Sequence, residues 1–249
     1  MTHRAARVAA LYDVHGNVAA LEAVLDEVRA ETDLVVFGGD LAWGAFPRAA
    51  VDLVMEPGLP ALYVRGNADR SVATVAVETP EWVAEITRWC HAQLDETHRS
   101  FLLDQSESVT VDVEGLGEVL FCHGSPRSDE ESLTFLTPET RLRDAVAGAT
   151  QDIVVCGHTH MQFDRTAGGA RVVNAGSVGM PYEGAPGAYW ALLSGGVSLR
   201  RTAYDYEAAS AAAARSGCPY AAELAQDVLA PPGRDEVARQ FEGLPPNGA

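Results

Sequence analysis

Seven residues able to ligate a metal or move a proton stand at the ends of short apolar runs. VAALY runs into Asp13, with His15 two residues on; LVVFGG into Asp40; ALYVRG into Asn67; VLFC into His123; and IVVCG into His158, with His160 after it. Asp13, Asp40 and Asn67 recur at intervals of 27 residues. Taken singly, an aspartate after a strand is a turn residue or helix cap, and a histidine in a glycine-flanked turn is a hydrogen-bonded loop residue. Taken together, seven ligand-type residues at strand ends favour a metal site. The donors are nitrogen and oxygen without thiolate. That set suits manganese, iron, zinc or a similar ion and argues against a structural zinc held by cysteines. Seven donors are too many for one tetrahedral ion and suit two ions sharing a carboxylate. Two ions about 3.5–4 Å apart can clamp the attacking and leaving oxygens of an in-line phosphoryl transfer.

Those positions converge only if the elements around them do. RVAALY (7–12) precedes an amphipathic stretch over 17–31, in which Leu21, Val24, Leu25 and Val28 recur at helical spacing and Asn17 is placed to cap. DLVVFGG (33–39), a helical stretch around 47–56 and LPALYVRG (59–66) continue a βαβαβ rhythm, which implies a parallel sheet with right-handed crossovers. In such a sheet ligands bind beyond the carboxyl ends of the strands. Helical pattern returns across 80–103, followed by strands near 107–113 and 117–122, a loop at 124–137 and a helix over 138–147. RTAGGARVV and PGAYWALLSGGVSLRRTAY place Gly-Gly turns between apolar runs and predict hairpins, hence a change to antiparallel pairing. The expected organisation is a core over 1–204 and a helical extension over 205–249 packed on it. Its helices fall at 206–216 and 220–229, and GLPPNGA is expected to fray.

Composition narrows the chemistry. The chain has 249 residues and a net charge of −17, and all 18 of its basic residues are arginine. Without lysine, a Walker-type phosphate loop, a Schiff base and pyridoxal chemistry are excluded. The acidic surface argues against nucleic-acid polymers and anionic membranes as partners. Asp13 interrupts the apolar run after Tyr12, so no secretory segment is read, and no stretch reaches the roughly 18 apolar residues of a membrane span. A cytoplasmic protein is expected. Its four cysteines show no CxxC spacing and read as reduced, buried thiols.

DVHGN, GGD, GNAD, CHGS and GHTH, in this order and spacing, resemble the calcineurin-like metallophosphoesterases. NAGSVGMPYEG (174–184) resembles their small bacterial and archaeal phosphodiesterase branch. The motifs cover about residues 7–200. The resemblance implies a four-layer αββα sandwich with mixed sheets. It implies Asp13, His15 and His160 on one metal, and Asn67, His123 and His158 on the other. Asp40 bridges the two with a water or hydroxide as nucleophile, which gives Asp40 and Asn67 catalytic roles. Two divalent ions are implied, manganese first, with iron, zinc, nickel or magnesium as alternatives. The implied activity is phosphodiester hydrolysis on a small phosphoester or nucleotide. Dinucleoside polyphosphates and phosphomonoesters are the alternative substrates, and a non-catalytic metal-binding scaffold is the alternative class. The oligomeric state is left open, a homodimer included. Arg65 and Arg127 flank motifs and are candidate phosphate contacts. One position departs from the family pattern. Many members carry histidine where this chain has Ala68, a residue assigned to protonating the leaving group or binding phosphate, with the next acidic residue, here Asp69, orienting it. His3, His91 and His98 are the other histidines, each expected at the surface.

Overall fold

The computed structural model describes residues 3–76 and 80–245. Short apolar runs with no polar face suit strands covered on both sides. Strands β2 (Val8–Leu11) and β3 (Leu34–Phe37) are such runs, buried at every position. β1 (His3–Ala5) lies at a sheet edge, where its polar, exposed residues fit. Helix α1 (Val18–Glu31) connects β2 to β3 and buries Leu21, Val24, Leu25 and Val28, the stripe its sequence predicts. Asn17 caps it, its side-chain oxygen accepting from the Ala20 N–H at 3.2 Å. Helix α2 (Pro47–Met55) leads to β4 (Ala61–Tyr63), and β2, β3 and β4 pair in parallel.

The expected helical stretch at 80–103 is two helices, α4 (Glu81–Gln93) and α5 (Glu96–Leu103), because Asp95 turns to cap the second by accepting from His98 N–H at 3.2 Å. Strands β5 (Ser108–Val113) and β6 (Gly117–Cys122) form a hairpin, helix α6 (Glu139–Val146) follows, and β7 (Ile153–Cys156) pairs in parallel with β6. Both predicted Gly-Gly hairpins are present: β8 (Phe163–Ala167) with β9 (Ala170–Asn174), and β10 (Ala188–Leu193) with β11 (Val197–Thr202). They lie in different sheets. β9 joins β7 in the six-stranded order β1-β5-β6-β7-β9-β8, whereas β10 lies antiparallel on β2 in the five-stranded order β11-β10-β2-β3-β4.

The sheets face each other through Val8, Ala10, Tyr12 and Val36 on one side and Val111, Phe121, Val155 and Val173 on the other, all fully buried. Each such valine or phenylalanine contributes about 1.5–3 kcal/mol by leaving water. Residues of alternate parity on the five-stranded sheet pack on α1 and α2, and α6 covers the six-stranded sheet through Leu142 and Val146. The result is the αββα sandwich. Two further helices, α3 (Asn67–Thr74) and α9 (Arg234–Phe241), were not anticipated from the pattern.

The extension holds α7 (Tyr206–Ala213), α8 (Ala221–Leu229) and α9. Ala213 and Ala225 pack with Ala45 and Phe46. α9 is pinned at both ends: Arg234 pairs with Glu183 at 3.3 Å, and Glu242 accepts from Thr134, Thr137 and Arg141 at 2.8, 2.5 and 2.7 Å. Residues 246–249 of the segment expected to fray lie outside the described residues. No helix among the described residues is long and apolar enough to cross a membrane.

Candidate metal centre

The seven ligand-type residues come together where the strands of both sheets end. Two groups could each hold an ion: Asp13, His15, Asp40 and His160, and Asp40, His123 and His158. Asp40 is common to both. Asn67 joins the second group, its Oδ1 lying 3.0 Å from His123 Nε2.

The backbone is strained at this place. Seven non-glycine residues among the described residues have positive φ, and five of them are Asp13, His15, Asp40, His158 and His160. Left-handed backbone costs an ordinary residue on the order of 1 kcal/mol or more, and it persists where surrounding structure over-determines it. Close loop approach provides that restraint. A side chain at Gly66 would strike the Asp40 carboxylate, and one at Gly157 would strike that of Asp13. Asp69 ties the loops together, its buried carboxylate accepting from Leu41 N–H at 2.8 Å, Ala42 N–H at 3.2 Å and Gly66 N–H at 3.4 Å. It is thus spent on backbone rather than free to orient a neighbour. Ala68 contributes its N–H to Asp40 Oδ1 at 2.8 Å.

Three imidazoles are aimed by backbone carbonyls. Nδ1 of His15 donates to Trp43 O at 3.1 Å, that of His123 to Gly38 O at 2.8 Å and that of His160 to Met180 O at 2.7 Å. Each therefore turns Nε2 inward, the orientation outer hydrogen bonds impose on metal-ligating histidines. Tyr182 stacks on His160 at 4.7 Å, and Ser132 Oγ lies 3.4 Å from His158 Nε2. NAGSVGMPYEG acquires a structural role: Ser177 Oγ donates to Asp13 O at 2.7 Å, and the Asn174 amide donates to Gly157 O at 2.7 Å, so this segment belts both ligand loops. None of these partners was identified from the sequence. Carbonyls carry no sequence signal, although the length of that motif was a hint.

Electrostatics follow from burial. The Asp13 carboxyl is pushed well up by burial and then by the charge of Asp40, with His123 opposing. Burial would also raise Asp40, but His123, His15 and His158 together hold it below its ordinary value. Burial would lower His123, yet the Asp40 charge, its hydrogen bond and Asp13 raise it to about 10. Burial and then His123 drop His158 to about 4; burial and then His15 lower His160. Three neutral imidazoles therefore surround one ion pair.

Divalent cations fit these residues. With both Nδ1 atoms donating to carbonyls, His15 and His160 face each other across 3.1 Å as two Nε2 lone pairs with no proton between them. Asp13 Oδ1 is buried with no hydrogen-bond donor among the described residues. A cation relieves both.

Other candidates lie elsewhere. Arg65 and Arg127 share a cavity of about 310 Å³ with Arg70, Ser125 and Ser128, but none of the seven ligand-type residues lines it. Their charges are matched: Arg65 pairs with Glu107, Arg70 with Asp129 and Glu130, and Arg127 with Glu131. His98 departs from its expected exposure. It is buried and clamped between Asp52 at 2.8 Å and Asp95 at 2.7 Å. His91 Nδ1 donates to Val72 O at 2.8 Å, and His3 is exposed in β1. The four cysteines are free and buried, as expected.

Comparison with known proteins places this geometry. The model of the calcineurin-like phosphoesterase superfamily domain matches residues 7–194. An uncharacterized protein of Methanocaldococcus jannaschii is 26% identical over 198 residues, covering 71% of this chain and 78% of that one. A hypothetical protein of Pyrococcus horikoshii shares the fold with a TM-score of 0.80 at 18% identity, over 91% of this chain and 99% of the other. A metallophosphoesterase of Sphaerobacter thermophilus does so with a TM-score of 0.71 at 24% identity, over 90% and 98%. Both overlaps exceed what residues 7–194 make up, so the likeness reaches into the chain beyond the family match.

Proposed function

The chain belongs to the calcineurin-like phosphoesterase superfamily, and on that premise we propose that it is a two-metal-dependent phosphodiesterase. The observation that carries this reading is Asp40, one carboxylate shared by two ligand groups whose backbones are held in left-handed strain. Asp13, His15, Asp40 and His160 would hold one ion; Asp40, Asn67, His123 and His158 the other. When bound, two divalent ions neutralise the phosphoryl oxygens and lower the pKa of an attacking water. The protein's own part is positioning. Asp69 fixes the loops after β3 and β4 so that Asp40 and Asn67 keep their separation. The carbonyls of Trp43, Gly38 and Met180 hold three imidazoles in one tautomer, with Nε2 available without deprotonation for His15 and His160. The second group is the more open side, since Asn67 and His158 are half-buried while the first group is buried throughout.

Ala68 leaves the departing oxygen without a neighbouring proton donor, and His98 and His91 are otherwise engaged. A general acid contributes about 10²–10⁴-fold, so rates should fall steeply as leaving-group pKa rises, and Ala68→His should flatten that slope. The test is turnover by manganese-reconstituted protein of generic diesters, cyclic nucleotides, dinucleoside polyphosphates and monoesters, with and without chelator. Diester hydrolysis lost on chelation is expected. Two bound ions with no turnover of any ester would instead mark a metal-binding scaffold.

A further inference from the structure

Beside the metal centre the extension encloses a space the reaction does not explain. Helices α7 and α8 lie over the first turns of α1 and α2, leaving a cavity of about 310 Å³. Its wall includes His15 and Met180, so it abuts the ligand cluster: Met180 O is the acceptor that aims His160. The rest is hydrocarbon from both parts of the chain, notably Val18, Phe46 and Ala49 from the core and Ala212, Leu224 and Val228 from the extension.

Two of the three polar side chains of this wall are already engaged, which leaves only Glu22 at its exposed side to meet a polar ligand. The Asn17 amide donates to Gly179 O at 3.0 Å and Tyr204 Oη at 3.1 Å, and its oxygen accepts from Ala20 N–H. His15 Nδ1 is committed to Trp43 O. Glu22, the remaining one, is exposed. A nucleobase or sugar placed here would lose most of its hydrogen bonds to water without replacement, whereas a hydrocarbon group gains by leaving water. The cavity persists because α7 presents alanines at 209, 212 and 213, where larger side chains would close it. Met180 in its wall is a side chain that adapts to varied apolar shapes.

We propose that this cavity receives the hydrocarbon part of the substrate's alcohol, so that the enzyme takes phosphoesters of apolar alcohols in preference to nucleotides. The proposal rests on the phosphoesterase reading above and assigns the extension the choice of substrate.

The test measures kcat/KM on manganese-loaded full-length protein for p-nitrophenyl phosphodiesters whose second alcohol runs from methyl to octyl. In wild type, kcat/KM is expected to rise about fourfold per methylene until the cavity is full. Ala212→Phe should bring the octyl-to-methyl ratio close to one, and Leu224→Ala should move the plateau to longer chains. A flat wild-type series overturns the proposal. So does a rise that survives Ala212→Phe, even if that variant melts higher, because filling a mere packing void would stabilise without touching selectivity. If no ester is turned over, the phosphoesterase reading fails separately. Calorimetric binding of methylphosphonate and octylphosphonate then decides the cavity: tighter octyl binding, abolished in Ala212→Phe, supports it, and equal affinities overturn it.

Discussion

The two ligand groups share Asp40 but are built differently. Asp13, His15 and His160 are buried, and their loops are locked by the Ser177 and Met180 contacts of a single belt segment. Asn67, His123 and His158 mix one buried imidazole with two half-buried side chains, and Phe241 of α9 stands only 6.3 Å from His158. The first group is preorganised by backbone; the second is finished by side chains and by the extension. Preorganisation lowers the cost of gathering charged groups, so the first position should bind metal more tightly, while the second is the more open to solvent.

The largest effect should come from the residue that erases the distinction. Asp40→Asn removes the charge common to both groups, and elemental analysis should find at most about one ion in place of two. The loss of activity should exceed the roughly 10–100-fold that removing an outer hydrogen-bond partner costs. Full retention of two ions would break the shared-carboxylate reading.

Next, manganese titration of wild type should be biphasic. His160→Ala should abolish the tight phase and Asn67→Ala the weak one. Loss of the same phase in both variants would mean the groups are not separate positions.

A smaller and graded effect is set by pH. In the metal-free protein Asp40 keeps His123 protonated up to about pH 10, above its ordinary 6.5. That charge stabilises the metal-free fold fully below pH 6.5 and is lost as pH rises through about 10. Metal must displace the same proton, so affinity at the second position should rise up to about tenfold per pH unit between 7 and 10, with about one proton released on uptake at pH 7.5. Proton release measured in weak buffer checks this, and no release would mean His123 is already neutral.

The smallest effect on metal is expected from deleting residues 231–249. This removes α9 and uncovers His158 but takes away no ligand, so elemental analysis should still find two ions. Loss of metal would show that Phe241 and the Glu242 clamp hold the second position together.

Much of this was legible in the sequence. Strands β2, β3 and β4 with helices α1 and α2 were readable because the apolar runs are too short for helices, two of them closed by glycine, and α1 carries a 3.6-residue stripe. The seven strand-end residues were readable because ligand-type side chains following such runs have few other reasons to recur. Helix α3 was not readable. NADRSVAT is short and polar, and it is helical because Asp69 binds Gly66 N–H and Asp40 binds Ala68 N–H, partners set by the loops around it. β1 and α9 escaped for the same reason, being short elements held by neighbours rather than by their own periodicity.

What the chain determined by itself was the kind of chemistry: nitrogen and oxygen donors, no lysine, and an alanine at position 68 that can carry no proton. Side-chain type is written residue by residue. What only the tertiary structure decided was where those donors point and what stands beside them. Two hairpins of similar pattern went to different sheets because β10 found β2 as an apolar neighbour while β9 found β7. The carbonyls that aim His15, His123 and His160 belong to residues 28, 85 and 20 positions away. The cavity between core and extension exists only once both are folded, since an empty volume between distant segments leaves no trace in either one alone.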